Sequence, residues 1–161
     1  MKNPYAGKVM APVSLARLLK GERARGRRVV FTNGVYDLLH AGHALLLARA
    51  KRLGDILVVG LNSDASVRRL KGPRRPIVPQ SDRALVISSL ASVDYVTFFN
   101  EDTPYELIGK LRPDVLVKGG DYAAERIVGR DLVKKVVRVP LAKGRSTTGL
   151  IEKILKAYGR A

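Results

Sequence analysis

The chain has 161 residues and a mass of 17.6 kDa, enough for one domain with a real core and too short for two, so residues 1–161 read as a single domain. Its 46% hydrophobic and 27% charged residues exclude global disorder, and the absence of cysteine excludes disulfides, thiolate catalysis and cysteine-ligated metal centres. Thirty Lys and Arg against fourteen Asp and Glu leave a net charge of +16, which points to an anionic partner.

No apolar run approaches the roughly 18 residues of a membrane helix, and the start MKNPYAGKVMAP lacks the apolar core of a signal peptide. The expected location is cytoplasmic, away from membranes. Basic residues are spread along the chain, and the 6% of aromatics are not interleaved with them as on a base-stacking surface. A solvated basic surface therefore stands beside a nucleic-acid-binding role.

Apolar runs alternate with helix-like segments, the pattern of β-α units on a parallel sheet covered on both faces. The fold class is α/β, Rossmann-like and doubly wound, with a mainly five-stranded parallel sheet and helices on both faces. In chain order, Ser14 caps a predicted helix over 15–25, a buried strand follows over 28–33, and Gly34 breaks it. A helix over 42–53 leads to a second strand over 55–61. Residues 62–80, with Gly72, Pro73, Pro76, Pro79 and several basic side chains, read as a mobile basic flap. Then come a helix over 81–92, a strand over 95–99, a helix over 104–111 opened by Thr103 and Pro104, and a strand over 115–118. An irregular stretch with a short helix near 125–133 precedes a fifth strand over 136–139. Ser146, Thr147 and Thr148 cap a last helix running to about residue 158.

The strongest local signal is Thr32-Asn-Gly-Val-Tyr-Asp-Leu-Leu-His-Ala-Gly-His43, between the first predicted strand and the next helix. Strand C-termini and helix N-termini in such sheets present free N–H groups and a positive dipole end to anions. Gly34 and Gly42 allow close backbone approach. His40 and His43, the only histidines, lie three residues apart on the first turn of a helix and can point at one phosphate chain. Three readings stay open on the residues alone: local packing, a metal site with Asp37 as third ligand, and a phosphate-binding pair.

His40-Ala-Gly-His43 resembles the HxGH signature of the nucleotidyltransferase superfamily. Further runs narrow the resemblance: Val59-Gly-Leu-Asn-Ser-Asp-Ala-Ser66, Arg69-Leu-Lys-Gly72, Glu101-Asp-Thr-Pro104, Val117-Lys-Gly-Gly-Asp-Tyr122 and Gly144-Arg-Ser-Thr-Thr-Gly149. Together they are similar to the D-glycero-D-manno-heptose 1-phosphate adenylyltransferases of the cytidylyltransferase-like group, over nearly everything after Lys8. Only the transferase half of the bifunctional kinase–adenylyltransferases is expected here. The chain departs from the pattern at Tyr36, where phenylalanine is common, and at Ala44-Leu-Leu-Leu47, where a tyrosine is often found.

The resemblance implies an enzyme of ADP-heptose biosynthesis that transfers AMP from ATP to the heptose 1-phosphate, with Mg2+ carried mostly by the triphosphate. The sugar 1-phosphate oxygen attacks the α-phosphorus in line and pyrophosphate leaves, so no protein nucleophile and no resident metal centre is needed. His40, His43, Lys71 and Lys118 are the catalytic candidates, neutralising developing charge. Thr32, Asn33, Gly34 and Gly42 are expected around the phosphates. Asn62 is expected at the cleft end of the second strand, Arg83 by the nucleotide, and Ser146, Thr147 and Thr148 at a nucleotide phosphate. Lys118, Asp121 and Tyr122 are the acceptor-binding candidates. Asp37 is expected to orient its loop, and Asp102-Thr-Pro104 to start a helix. Similar enzymes often self-associate, which points to a homodimer. The alternatives are another acceptor or donor within the superfamily, as in cytidylyltransferases acting on glycerol 3-phosphate or in FAD synthetases, and a non-catalytic basic nucleic-acid-binding module.

Overall fold

The computed structural model describes residues 4–120, 127–140, 144 and 146–159. Five strands, β1 (Val29–Gly34), β2 (Ile56–Asn62), β3 (Tyr95–Phe99), β4 (Val115–Gly119) and β5 (Lys135–Val139), form one wholly parallel sheet in the order β3-β2-β1-β4-β5. Among the described residues six α-helices accompany them: α1 (Pro12–Ala24), α2 (Ala41–Lys51), α3 (Asp64–Lys71), α4 (Gln80–Ser89), α5 (Tyr105–Leu111) and α6 (Thr147–Tyr158). The expected doubly wound α/β class is the observed one. Strand order reverses between β1 and β4, which opens a crevice at their carboxyl ends.

Alternation along the strands sends successive side chains to two separate cores. Val30, Leu57 and Val59 join Leu46, Leu47, Ala50 and Ile87 beneath α2 and α4. Phe31, Val58 and Leu116 join Leu15, Leu19, Leu107 and Ile108 beneath α1 and α5. Every residue of β2 is buried, whereas β5 at the edge is largely accessible.

Aspartates just ahead of three strands fix the register. Asp55 accepts the Arg28 N–H at 2.7 Å, Asp94 the Leu57 N–H at 2.7 Å, and Asp114 the Val29 N–H at 2.9 Å. Each carboxylate satisfies an N–H at the neighbouring strand's start that has no ladder partner there.

Several local expectations are corrected. The first helix starts at Pro12 with Ala11 as its cap, not at Ser14, because the fixed φ of proline and its missing N–H suit the first helical position. Gly34 ends β1 within the ladder, opposite Leu61, instead of breaking it. Residues 62–80 are not one open flap. They contain α3, capped by Ser63, whose hydroxyl accepts the Ser66 N–H at 3.1 Å. The remainder is tethered: Asp37 accepts the N–H groups of Ile77 and Val78 and the Arg75 Nε, at 2.6–3.0 Å. These contacts hold the Asp37 carboxyl below the usual carboxylate range against the opposing effect of burial, the largest single influence on it. Of the helix expected near 125–133, residues 125 and 126 lie outside the described set, and a 3-10 turn occupies Arg130–Leu132. Among the described residues no helix is long and apolar enough to cross a membrane.

Candidate active site

A cleft of about 420 Å³ opens at the β1/β4 crevice. Its floor is Asn33, Gly34, Lys118 and Gly119, the last residues of the two strands. On the α2 side it is walled by Tyr36, His43 and Leu46, and on the α5 side by Thr103, Pro104 and Ile127.

The α2 wall is built from an irregular turn. Tyr36 has φ 48°, a left-handed conformation costly for a bulky residue, and its ring is buried under the turn. Gly34 makes room, since a Cβ there would lie 2.8 Å from the Tyr36 ring. The Tyr36 and His43 rings are tilted at a centroid distance of 5.0 Å, and His43 stacks on His40 at 3.8 Å. Extended His40 forms the N-cap of α2, and its carbonyl accepts the His43 N–H at 2.9 Å. The two imidazoles thus form a parallel pair at a helix N-terminus, where the dipole is positive.

Burial, then the neighbouring His40, lowers the His43 pKa to about 4, so its imidazole is neutral near pH 7. Its Nδ1 is buried without a hydrogen-bond partner. Burial raises the Tyr36 pKa to about 12; the hydroxyl lies beside that of Thr32, but neither makes a hydrogen bond of normal geometry. Thr32 is 0% exposed and faces the core beneath Tyr36 instead of lining the cleft. Gly42 is likewise buried, in the first turn of α2.

On the floor, Lys118 donates from Nζ to Asn33 Oδ1, joining the ends of β4 and β1. Burial lowers the Lys118 pKa to about 8, leaving the ammonium mostly charged near neutrality yet poorly solvated. Such a cation gains more from an incoming phosphate than a hydrated surface lysine does. Thr147 Oγ1 donates to the Leu38 carbonyl at 3.3 Å, setting the N-terminus of α6 beside the histidine turn. Ser146 caps α6 by accepting the Gly149 N–H, and Ser146 and Thr148 are exposed.

Of the expected residues, His43, Asn33, Gly34 and Lys118 line the cleft, His40 stands behind His43, and Lys71, Asn62 and Arg83, like Thr32 and Gly42, do not reach it. Lys71 is exposed at the C-terminal end of α3 and does not line the cavity. Asn62 is buried, with its amide donating to Ser66 Oγ at 3.0 Å. Arg83 is 1% exposed and its guanidinium is spent on the protein. It donates to the carbonyls of Val35 (2.6 Å), Asn62 (2.9 Å) and Val78 (3.0 Å) and pairs with Asp64 at 2.7 Å. It ties the turn after β1, the end of β2 and the segment before α4 together, so its effect on the site is through position. Asp121 and Tyr122 lie outside the described residues.

The metal-triad reading of Asp37, His40 and His43 finds no geometric support, since both Asp37 oxygens face the 75–78 segment. No group of three His, Asp or Glu side chains converges among the described residues. The reading by residue type also missed the α5 wall. Asp102 and Thr103 resemble a helix start in sequence, and only the folded chain carries them to the cleft.

The chain matches the family model described as cytidylyltransferase-like over residues 31–156. It is 55% identical over 158 residues to the bifunctional protein HldE of Syntrophotalea carbinolica, covering 96% of this chain and 32% of that one. It is 56% identical over 147 residues to HldE of Wolinella succinogenes, covering 91% and 31% respectively. The chain thus spans about a third of the length of these curated relatives. Among solved structures, it resembles the lipopolysaccharide core biosynthesis protein from Thermoplasma volcanium GSS1, with a TM-score of 0.63 and 31% identity, over 73% of this chain and 100% of that chain.

Proposed function

Because the chain belongs to the cytidylyltransferase-like family, a nucleotidyltransferase fold with its cleft at the strand-order switch, we propose that it transfers AMP from ATP to D-glycero-D-manno-heptose 1-phosphate, releasing pyrophosphate and forming ADP-heptose. The observation that carries the proposal is the cleft that His43, stacked on His40 at the N-terminus of α2, shares with the half-buried Lys118 ammonium on its floor. The adenylyl specificity and the heptose come from the sequence resemblance, above all its Glu101-Asp-Thr-Pro104 and Lys118-Gly-Gly-Asp-Tyr122 runs.

The triphosphate lies along the α2 wall, under the histidines and the α6 N-terminus, where Ser146, Thr147 and Thr148 offer hydroxyls and free N–H groups. Neutral His43 donates one N–H, and the arriving anion raises its proton affinity, so donation strengthens as charge develops on the phosphates. The stacking of the rings at 3.8 Å disfavours protonating both at once. Asn33, oriented by Lys118, holds the phosphate side of the floor. Lys118 meets the acceptor phosphate, whose oxygen is already anionic near neutral pH and needs no general base. Mg2+ fits as an ion brought by the triphosphate, because the cleft offers no carboxylate cage among the described residues, and it would supply charge neutralisation. Cytoplasmic location, a homodimer, 1–161 as one nucleotidyltransferase domain, and the absence of nucleic-acid or membrane partners belong to this same reading.

The test is product analysis by mass with ATP or CTP against heptose 1-phosphate, glycerol 3-phosphate and flavin mononucleotide. ADP-heptose and pyrophosphate are the expected products. Preference for either other acceptor overturns the function, and preference for CTP with the heptose overturns the donor.

A further inference from the structure

The Glu101-Asp-Thr-Pro104 run contributes nothing to the chemistry above, yet the chain braces it with care. It follows β3, at one edge of the sheet, and reaches the cleft at the β1/β4 crevice. The brace is α3. Ser63, its cap, donates from Oγ to Asn100 Oδ1 at 2.6 Å, and the Ser63 N–H binds the Phe99 carbonyl at 2.9 Å. Ser66 Oγ donates to the Glu101 carbonyl at 2.9 Å. Arg69 grips the Asn100 carbonyl with one nitrogen and Asp102 Oδ1 with Nε at 2.9 Å.

An exposed Arg–Asp pair adds little to stability, with side chains here 46% and 59% accessible, so stability does not account for this arrangement. What the brace does fix is the direction of one carboxylate. The pair uses Asp102 Oδ1 alone, leaving Oδ2 on a carboxylate that lines the cleft with Thr103 beside it. Below them Pro104, Ile127 and Val128 form an apolar strip. A carboxylate in this position repels phosphate, which separates this wall from the histidine wall opposite. It accepts hydrogen bonds from hydroxyls, a neighbouring threonine hydroxyl both donates and accepts, and an apolar strip packs against C–H groups. Carboxylate, hydroxyl and apolar strip together match the hydroxylated, uncharged body of a sugar.

Resting on the proposed transferase reading, we propose that Asp102 and Thr103 are the specificity-determining contacts for the sugar hydroxyls of the acceptor, with Arg69 on α3 as the residue that positions Asp102. The donor nucleotide makes no use of them. The division of labour places phosphate recognition on β1, β4 and α2 and hydroxyl recognition on the 100–104 segment.

The experiment compares the full chain with Asp102→Asn, Thr103→Val, Arg69→Gln and Arg69→Lys variants, each checked by thermal melting. Steady-state rates are measured with ATP and Mg2+ against heptose 1-phosphate, mannose 1-phosphate and glycerol 3-phosphate. Asp102→Asn and Thr103→Val should raise KM for the sugar phosphates by about tenfold, the scale for losing a hydrogen bond with a charged or well-placed partner. KM for ATP and the Mg2+ titration should stay within about twofold of the unmodified chain, a split that general structural damage does not produce. Arg69→Gln should shift the acceptor KM in the same direction, and Arg69→Lys should recover part of it. An unchanged acceptor KM overturns the proposal, and so does a parallel rise in the ATP KM or in the Mg2+ requirement. Should Asp102→Asn fail to fold, Thr103→Val, which only exchanges an exposed hydroxyl, decides the matter. If the unmodified chain turns over no sugar 1-phosphate, the transferase reading falls together with this one. If it does and the variants show no split, only this proposal falls.

Discussion

At the scale of single residues, the acceptor phosphate and the floor lysine set opposite limbs of the pH profile, while the imidazole pair sets turnover. Replacing His40 or His43 with alanine should lower turnover by about a hundredfold, as expected on losing a donor that strengthens in the transition state. A folded variant with nearly full turnover at saturating substrate would remove that histidine from the chemistry. The acceptor gains its second negative charge near pH 6, so kcat/KM should climb through that region. Lys118, displaced by burial to about 8, loses its charge as pH rises through that value, and kcat/KM should fall there. The acidic limb then belongs to the substrate and the alkaline limb to Lys118. A profile flat far above pH 8 would take the lysine out of acceptor binding. Residue type alone misjudged Arg83: an arginine near a phosphate cleft suggests an anion ligand, but four protein partners and full burial make it a tie between segments. Nothing in a linear pattern distinguishes those two uses of a guanidinium.

At the scale of elements, the 75–78 segment hangs on one carboxylate. Asp37→Asn weakens the acceptor for the Ile77 and Val78 N–H groups and removes the charge partner of Arg75, so amide exchange at residues 77 and 78 should accelerate well beyond that of β1 and β2. Unchanged exchange at those two amides would show that the segment is held by something other than Asp37. The strands and the helices α2, α4 and α5 were legible because each buries a periodic face, and the histidine turn because its glycines and imidazoles fall at a strand-to-helix junction. Helix α3 was not. It has only eight residues, of which only Ser66 and Val67 are buried, its composition is strongly polar, and the Gly and Pro residues that follow it suggest a loop. The α5 wall escaped for a related reason, since Asp-Thr-Pro is equally good as a helix start and as a cleft rim, and only the β3-to-β4 crossover makes it the latter.

At the scale of the whole molecule, the net charge of +16 acts on both proposed substrates, which are anions. With a screening length of about 10 Å at 0.1 M salt, long-range attraction should fade as ionic strength rises. The expected result is a severalfold fall in kcat/KM from low to physiological salt with kcat nearly constant. A salt-independent kcat/KM would make the charge irrelevant to capture. The two cores, divided by the sheet, have a further consequence. The histidine wall rests on the core under α2 and α4 and the hydroxyl-facing wall on the other, joined by the central strands and by the Arg83–Asp64 pair. Substitutions on one side then combine with those on the other almost independently. A lineage can therefore retune what it joins to the nucleotide by drift in one half of the fold, leaving the apparatus that handles the nucleotide's phosphates undisturbed in the other.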